Sequence, residues 1–395
     1  MTLNVAEMTP DQAYKVLERL AKSEMRHPEY PDRLWRPTVM LHGEPGVGKS
    51  TLVRKLSRDL FGKKPIVVNA ALIEATDLKG LPDLDRQNAV TRWLKPDFLP
   101  RDKDDKGVIF FDEATQGRRD VMAAMYPILL DRELDDWTCP EGYLIVCAGN
   151  DVEDGAIAND MGTALNDRLF HIKVVSGHKA TIAHLSRKDH AHPAVLALLE
   201  QNPSMLNMNK ERIEHGYVAS PTPRSWEETC LALNMMLPDM TIIKSREPAH
   251  VDECNLVKAF VSGRIGESSM QELFATMLDM TECKDVSYML ENHDKLKAED
   301  YPTTPRGVRG LCYQIALMVK TEAQARAAFN VLYRFRQMQI TGFNIREFTA
   351  MGLEIIIEKM TKENWLNPAM DDKGPFGVSF NAYLEEASAK YLQQA

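Results

Sequence analysis

The chain has 395 residues, room for two or three domains at roughly 100–200 residues each. Hydrophobic residues at 44% and charged residues at 27% are globular values, which excludes wholesale disorder and collagen-like or coiled-coil architectures. A net charge of −9 speaks against a surface devoted to nucleic acid or an anionic membrane, although a local basic groove stays open.

The first predicted element is a helix. Thr9-Pro10-Asp11-Gln12 fits a capping box with proline at the first helical position, ahead of Ala13, Val16, Leu17 and Leu20. A polar, proline-bearing stretch from His27 to Pro37 follows. Between residues 38 and 175, the runs Thr38–His42, Ile66–Val68, Val108–Phe111, Leu144–Ala148 and Phe170–Val175 alternate with helical patterns. They are nearly continuous in apolar character, as strands covered on both faces must be, which predicts a doubly wound parallel α/β sheet. Glu133–Trp137, the turn-like Pro140-Glu141-Gly142 and Tyr143–Val146 read as a β-hairpin. Beyond about residue 180 helical spacing takes over. Ser225-Trp226-Glu227-Glu228 reads as a second capping box, opening a helix with Leu231, Leu233 and Met236, and Tyr301–Pro305 breaks the chain before a last helical segment. The expected division is an N-terminal helical segment (1–36), a nucleotide-binding α/β domain (37–180), a helical lid (181–300) and a helical C-terminal extension (301–395).

The six cysteines are scattered without a C-x-x-C pair, so reduced thiols are expected rather than a zinc site or disulfides. No apolar run approaches the ~20 residues of a spanning helix, and no signal pattern opens the chain. The expectation is a soluble, cytoplasmic protein with no membrane partner.

Gly43-Glu44-Pro45-Gly46-Val47-Gly48-Lys49-Ser50 is a G-x-x-x-x-G-K-S phosphate loop, with Thr51 opening the helix that follows. Its glycines let backbone N–H groups turn inward onto phosphates. Lys49 is placed to reach the β- and γ-phosphates of ATP, and the Ser50 hydroxyl to bind Mg²⁺. Val108-Ile109-Phe110-Phe111-Asp112-Glu113 is a buried strand ending in two acids: Asp112 to hold Mg²⁺, directly or through water, and Glu113 to act as general base on the attacking water. Alone, such a run is more often a strand entering a solvated loop; jointly with the phosphate loop it points to ATP hydrolysis. Asn150, at the end of the next strand, can bond both the γ-phosphate and the water, or be an ordinary turn asparagine.

The series G-E-P-G-V-G-K-S, F-F-D-E-A, A-G-N, A-L-N-D-R-L and T-P-R-S-W resembles an AAA+ ATPase, and most of all the MoxR-type branch, over roughly residues 37–230. The resemblance implies an AAA+ fold with a helical lid, ATP and Mg²⁺ as ligands, and a closed homo-oligomeric ring, most often a hexamer. It makes Asn150 the first sensor and Arg168 a finger reaching the neighbouring subunit's γ-phosphate. It makes Arg224 the second sensor and Arg132 a further candidate for action in trans. It also implies an insert near Gly80–Trp93, with Leu81, Trp93 and Leu94 as substrate contacts, and a hairpin before the first sensor. MoxR-type proteins remodel or assemble protein substrates, often with a partner bearing a von Willebrand factor A domain. Thr115-Gln116 stands where family members often carry asparagine–arginine, with Arg118 and Arg119 following.

Two other readings remain. One is a DNA-handling AAA+ motor or loader, which the net charge disfavours without excluding; the other is a nucleotide-gated assembly scaffold, against which the acid pair argues. His184, His190 and His192 match no zinc spacing. Arg326, Tyr333, Arg334, Phe335 and Arg336 mix basic and aromatic residues as single-strand binders do, but read better as a helix with a snorkelling arginine face.

Overall fold

The computed structural model describes residues 4–27, 29, 33–150, 162–338 and 343–394. Part of the polar stretch from His27 to Pro37 therefore lies outside the described residues. In chain order the elements begin with β1 (Glu7–Met8), α1 (Pro10–Lys22), β2 (Val39–His42), α2 (Lys49–Phe61), β3 (Ile66–Asn69) and α3 (Ala75–Lys79). Next come β4 (Leu81–Asp85), β5 (Val90–Leu94), β6 (Lys106–Asp112), α4 (Arg119–Leu130), β7 (Glu133–Leu134), β8 (Trp137–Thr138), β9 (Gly142–Gly149), α5 (Thr163–Asn166) and β10 (Phe170–Val174). The remainder is helical among the described residues: α6 (His178–Ser186), α7 (Pro193–Gln201), α8 (Asn209–His215), α9 (Pro223–Met236), α10 (Pro248–Ile265), α11 (Glu267–Met280) and α12 (Val286–Glu291), then α13 (Pro305–Met318), α14 (Glu322–Arg336), α15 (Ile345–Lys362), α16 (Leu366–Met370) and α17 (Pro375–Gln394).

The chain forms two compact units. The first comprises residues 1–181, 207–218 and 222–224; the second comprises 182–206, 219–221 and 225–395. The first is built on a six-stranded parallel sheet, β1-β10-β2-β9-β6-β3. Counted along the chain, its core strands β2, β3, β6, β9 and β10 thus stand in the order fifth, first, fourth, third, second, all parallel, and the strand order reverses beside β2. Alternate residues of β2, β6 and β9 supply opposite cores, while β3 and β10 each bury one face. Val39, Leu41, Val108, Phe110, Leu144, Val146, Ile172 and Val174 pack with Leu17 of α1 and Leu52, Val53 and Leu56 of α2. Met40, Val68, Ile109, Phe111, Ile145 and Cys147 pack with Leu78 of α3 and Val121, Met125 and Ile128 of α4. This two-sided burial is why β2, β6 and β9 read as unbroken apolar runs; β3 and β10 carry apolar Val67 and Phe170 on an exposed face.

Thr9 caps α1 as a full capping box, and Thr304 caps α13 behind the break at Tyr301–Pro305. Two local expectations are corrected. α9 starts at Pro223, not after Ser225: proline takes the first turn, and the Ser225 hydroxyl donates to Ser220 O instead of capping. The hairpin before the first-sensor strand is only β7 and β8, turning at Asp135-Asp136; Tyr143–Val146 lies in β9, paired with β6 in the main sheet. Arg132 does not project for action in trans. It stands in the left-handed region at φ 59°, and its guanidinium donates to Arg36 O, Pro140 O and Tyr143 O, so burial and backbone bonds commit it to closing this hairpin.

In the second unit, α7 with α9, α10 and α11 surrounds one core (Leu196, Trp226, Leu233, Val257, Met277), and α12–α17 another (Leu311, Phe329, Leu332, Phe335, Leu353, Phe380). The buried Met277, Met289 and Met360 act as core filler. The basic–aromatic stripe is structural: Phe335 stacks on Tyr301, Arg336 bonds Glu386 and Arg346 O, and Arg326 bonds Glu322 and Asp372. All six cysteines are free thiols, and burial pushes Cys230 and Cys312 each up to about 12. No helix among the described residues is long and apolar enough to cross a membrane.

Gly352 lets α15 approach α13 and α14, since a Cβ there would sit 2.6 Å from Cys312 Sγ and 2.8 Å from Leu332 Cδ1. Gly352→Val is expected to destabilise the protein by about 1–3 kcal/mol, lowering the urea midpoint at unchanged slope. An unchanged midpoint would contradict this packing.

Candidate active site

Three parallel strands, β2, β9 and β6, end side by side, and the loops leaving their carboxyl ends hold the predicted chemistry, as open α/β sheets do at a point of reversal. β2 runs into the phosphate loop. Gly43, Gly46 and Gly48 all have positive φ, which only glycine adopts freely. Gly43 is also a close approach: a Cβ there would lie 2.3 Å from Val174 O of β10. At Gly48 the same construction meets nothing within 4 Å, so the loop is open on the side where α2 begins at Lys49.

The Lys49 ammonium is buried and spends three bonds inside the site, on Gly43 O (2.5 Å), Glu44 O (3.2 Å) and Asn150 Oδ1 (2.8 Å). Ser50 Oγ donates to Asp112 Oδ2 at 2.9 Å. These two oxygens form a hard, all-oxygen donor pair suited to Mg²⁺, beside a loop shaped for phosphates. Glu113 lies in the left-handed region at φ 53°, a strained choice for a non-glycine residue. The turn bonds its N–H to Asp112 Oδ1 and brings its carboxylate to Asn150 Nδ2, at 3.2 Å. Partial burial and the neighbouring Asp112 raise the Glu113 pKa, opposed by Lys49 and Arg224.

The predicted residues thus fall into two groups. Glu44, Lys49, Ser50, Asp112, Glu113 and Asn150 form one connected hydrogen-bond network. Thr222 and Arg224 pack beside the loop, where a Cβ on Gly46 would lie 3.2 Å from Thr222 Oγ1 and 3.7 Å from Arg224 Cβ. Arg168 stands apart from this network: it is exposed, one turn beyond the short helix α5. Leu81, Trp93 and Leu94 lie on the exposed β4–β5 hairpin, together with Leu84 and Val90. Arg118 is bonded to Glu74 and Asp120 rather than to the site. Among the described residues, no group of three or more His, Cys, Asp or Glu could hold a metal.

Other participants escaped the motif reading. Thr115 donates to Asn150 O at 3.1 Å and fills the space a Cβ on Gly149 would need, fixing the strand end that carries the asparagine. Asn207 donates to Glu44 Oε2 at 2.5 Å, bringing a distant segment onto the loop. His42 and His171 bond one another behind the loop. Only Thr115 had a sequence signal, its position two residues after the acid pair.

A model of the AAA domain, dynein-related subfamily, matches residues 38–169, the stretch from β2 to the turn before β10. Residues 38–169 are an AAA domain. The rest of the AAA+ fold, β10 and the helices after it, lies beyond the match. Among solved structures, NtrX from Brucella abortus in complex with ADP is similar at 14% identity, covering 89% of this chain and 67% of that one, with a TM-score of 0.37. A candidate ATPase from Cytophaga hutchinsonii ATCC 33406 is similar at 12% identity, covering 88% of each chain, with a TM-score of 0.31. Likeness at these scores adds nothing to the assignment. No curated protein matches the chain.

The raised Glu113 pKa has a stability consequence with a fixed sign. The folded AAA+ site favours the neutral carboxyl, so Glu113 increasingly opposes folding as pH rises above the ordinary carboxylate range. Glu113→Gln is therefore expected to raise the melting temperature of the nucleotide-free protein near pH 7, with the gain vanishing by about pH 4. A gain that is equal at both pH values would refute the electrostatic cause.

Proposed function

We propose that this protein hydrolyses ATP in a ring of six copies and uses the turnover to remodel or assemble a protein substrate, in the manner of MoxR-type AAA+ proteins. The observation that carries the reading is the network joining Lys49, Asn150 and Glu113 beside the Ser50–Asp112 pair, which assembles in one place the groups that phosphoryl transfer to water requires.

In this reading the loop from Gly43 to Thr51 binds the phosphates, and Lys49 exchanges its carbonyl partners for phosphate oxygens. Ser50 and Asp112 would hold Mg²⁺, which neutralises phosphate charge when bound. Asn150, bonded on one side to Lys49 and on the other to Glu113, orients a water between base and phosphate. Glu113 takes that water's proton, and its raised pKa makes it a better base than an exposed glutamate. Arg224, beside the loop, senses the nucleotide. Arg168, exposed and outside its own subunit's network, serves the neighbour's γ-phosphate, which requires a closed head-to-tail ring. The hairpin β4–β5 supports a protein substrate. Leu81 is 62% exposed and Leu84 65%, with Val90, Trp93 and Leu94 alongside, an apolar surface suited to unfolded chain. A partner bearing a von Willebrand factor A domain, by resemblance to the MoxR branch, and a cytoplasmic setting, by the scattered free cysteines, complete the proposal.

The test is solution mass and phosphate release. Glu113→Gln with ATP and Mg²⁺ should bind nucleotide, lose about 100-fold or more of its turnover, and run near the mass of a ring. Arg168→Ala should cost about 10³-fold or more and loosen the ring. A protein that stays monomeric under every condition, or a Glu113→Gln variant with full turnover, would overturn the mechanism. Turnover stimulated by DNA and suppressed by salt would redirect it to the nucleic-acid motor.

A further inference from the structure

The residue proposed to reach the neighbouring subunit is carried by very little structure. Arg168 follows α5, a helix of four residues, and its N–H bonds Leu165 O. A single turn does not hold itself together in water, because so few bonds offset the entropy of ordering it. Leu165 and Leu169 are buried and anchor the turn on one side. The carbonyl of Asn166, at the end of α5, is among those a helix terminus leaves for an outside partner, and a side chain supplies one: His171 Nε2, at 2.8 Å.

His171 is itself held. It lies on β10 opposite Met40, while His42 lies opposite Lys173, so the two histidines are diagonal neighbours on one face of the β2–β10 pair. Their rings lie 5.0 Å apart, with His42 Nε2 2.8 Å from His171 Nδ1. A carbonyl oxygen can only accept, so His171 Nε2 carries a hydrogen. In the neutral ring its Nδ1 then accepts from His42 Nε2–H. His42 is buried, 6% exposed, and is the residue immediately before Gly43, whose carbonyl accepts the Lys49 ammonium. A continuous chain of bonds therefore runs from the turn bearing Arg168, through two imidazoles, to the base of the phosphate loop.

We infer that His171, braced by His42, is a positioning residue for Arg168: it fixes the turn from which the finger is presented, and joins that turn to the subunit's own phosphate loop. This rests on the reading of Arg168 as acting in trans. A defect at His171 should consequently appear in the neighbour's site and leave the variant's own nucleotide pocket whole.

Mixed assemblies separate these outcomes. A control mixture of Arg168→Ala and Lys49→Ala proteins, each inactive alone, should regain phosphate release, because the second protein offers an intact finger to the first protein's intact loop. His171→Phe alone should lose about tenfold in kcat, with KM for ATP and the Kd of a fluorescent ADP analogue held within about twofold. Mixing it with Lys49→Ala should raise its activity, and His171→Gln, which can still donate to Asn166 O and accept from His42, should keep most of it. If the phenylalanine variant fails to fold, His171→Ala, which cannot clash, serves in the same mixture. Full kcat in the variant, or a loss that mixing leaves unrelieved while the control is relieved, would overturn the positioning role. A control mixture that stays inactive would overturn the trans reading, and this inference with it.

Discussion

One buried ammonium holds the site together. Lys49 is the first residue of α2, yet its bonds go to the loop leaving β2 and to the residue after β9. A buried cation must be matched by oxygens or its desolvation is uncompensated. The parallel sheet supplies them by aligning the carboxyl ends of neighbouring strands, and Asn150 passes the constraint on to Glu113 and thus to β6. The left-handed backbone at Glu113, the absence of a side chain at Gly149 and the hydroxyl of Thr115 all serve that alignment.

The polar groups of this arrangement are bonded to one another. The lysine occupies carbonyls of its own loop, and the serine occupies the aspartate. An incoming triphosphate therefore competes with existing bonds rather than filling an open charge, so binding substitutes one set of partners for another. In the proposed function such exchange would make the positions of Asn150 and Glu113 depend on what Lys49 holds, a route from the phosphate loop to the acid pair.

The fold and the first group of site residues were legible because their signals are local. Strands buried on both faces show as unbroken apolar runs, and the phosphate loop and acid pair each sit within a few residues. What sequence could not show are pairings whose members lie far apart. His42 meets His171 across 129 positions, and Asn207 meets Glu44 across 163. No periodicity records such meetings. The capping pattern at Ser225 and the hairpin read through Pro140-Glu141-Gly142 misled for a related reason: a local motif competes with alternatives. Pro223 opens α9, and the turn forms, with Tyr143 N–H on Pro140 O, but the strand after it pairs with β6. Arg132 was a further candidate for action in trans, but the three carbonyls gathered around it reveal a structural task.

The division of the chain into two units has a covalent consequence. The backbone passes from one to the other five times, at residues 181, 206, 218, 221 and 224. The domain match ends at residue 169, so a fragment cut to it would keep the phosphate loop and acid pair but lose Asn207, Thr222 and Arg224. A fragment beginning at residue 225 would likewise lack α7, whose Leu196 and Leu198 fill its core. Neither unit exists as one uninterrupted stretch of sequence, so no single cut of the chain releases either of them whole.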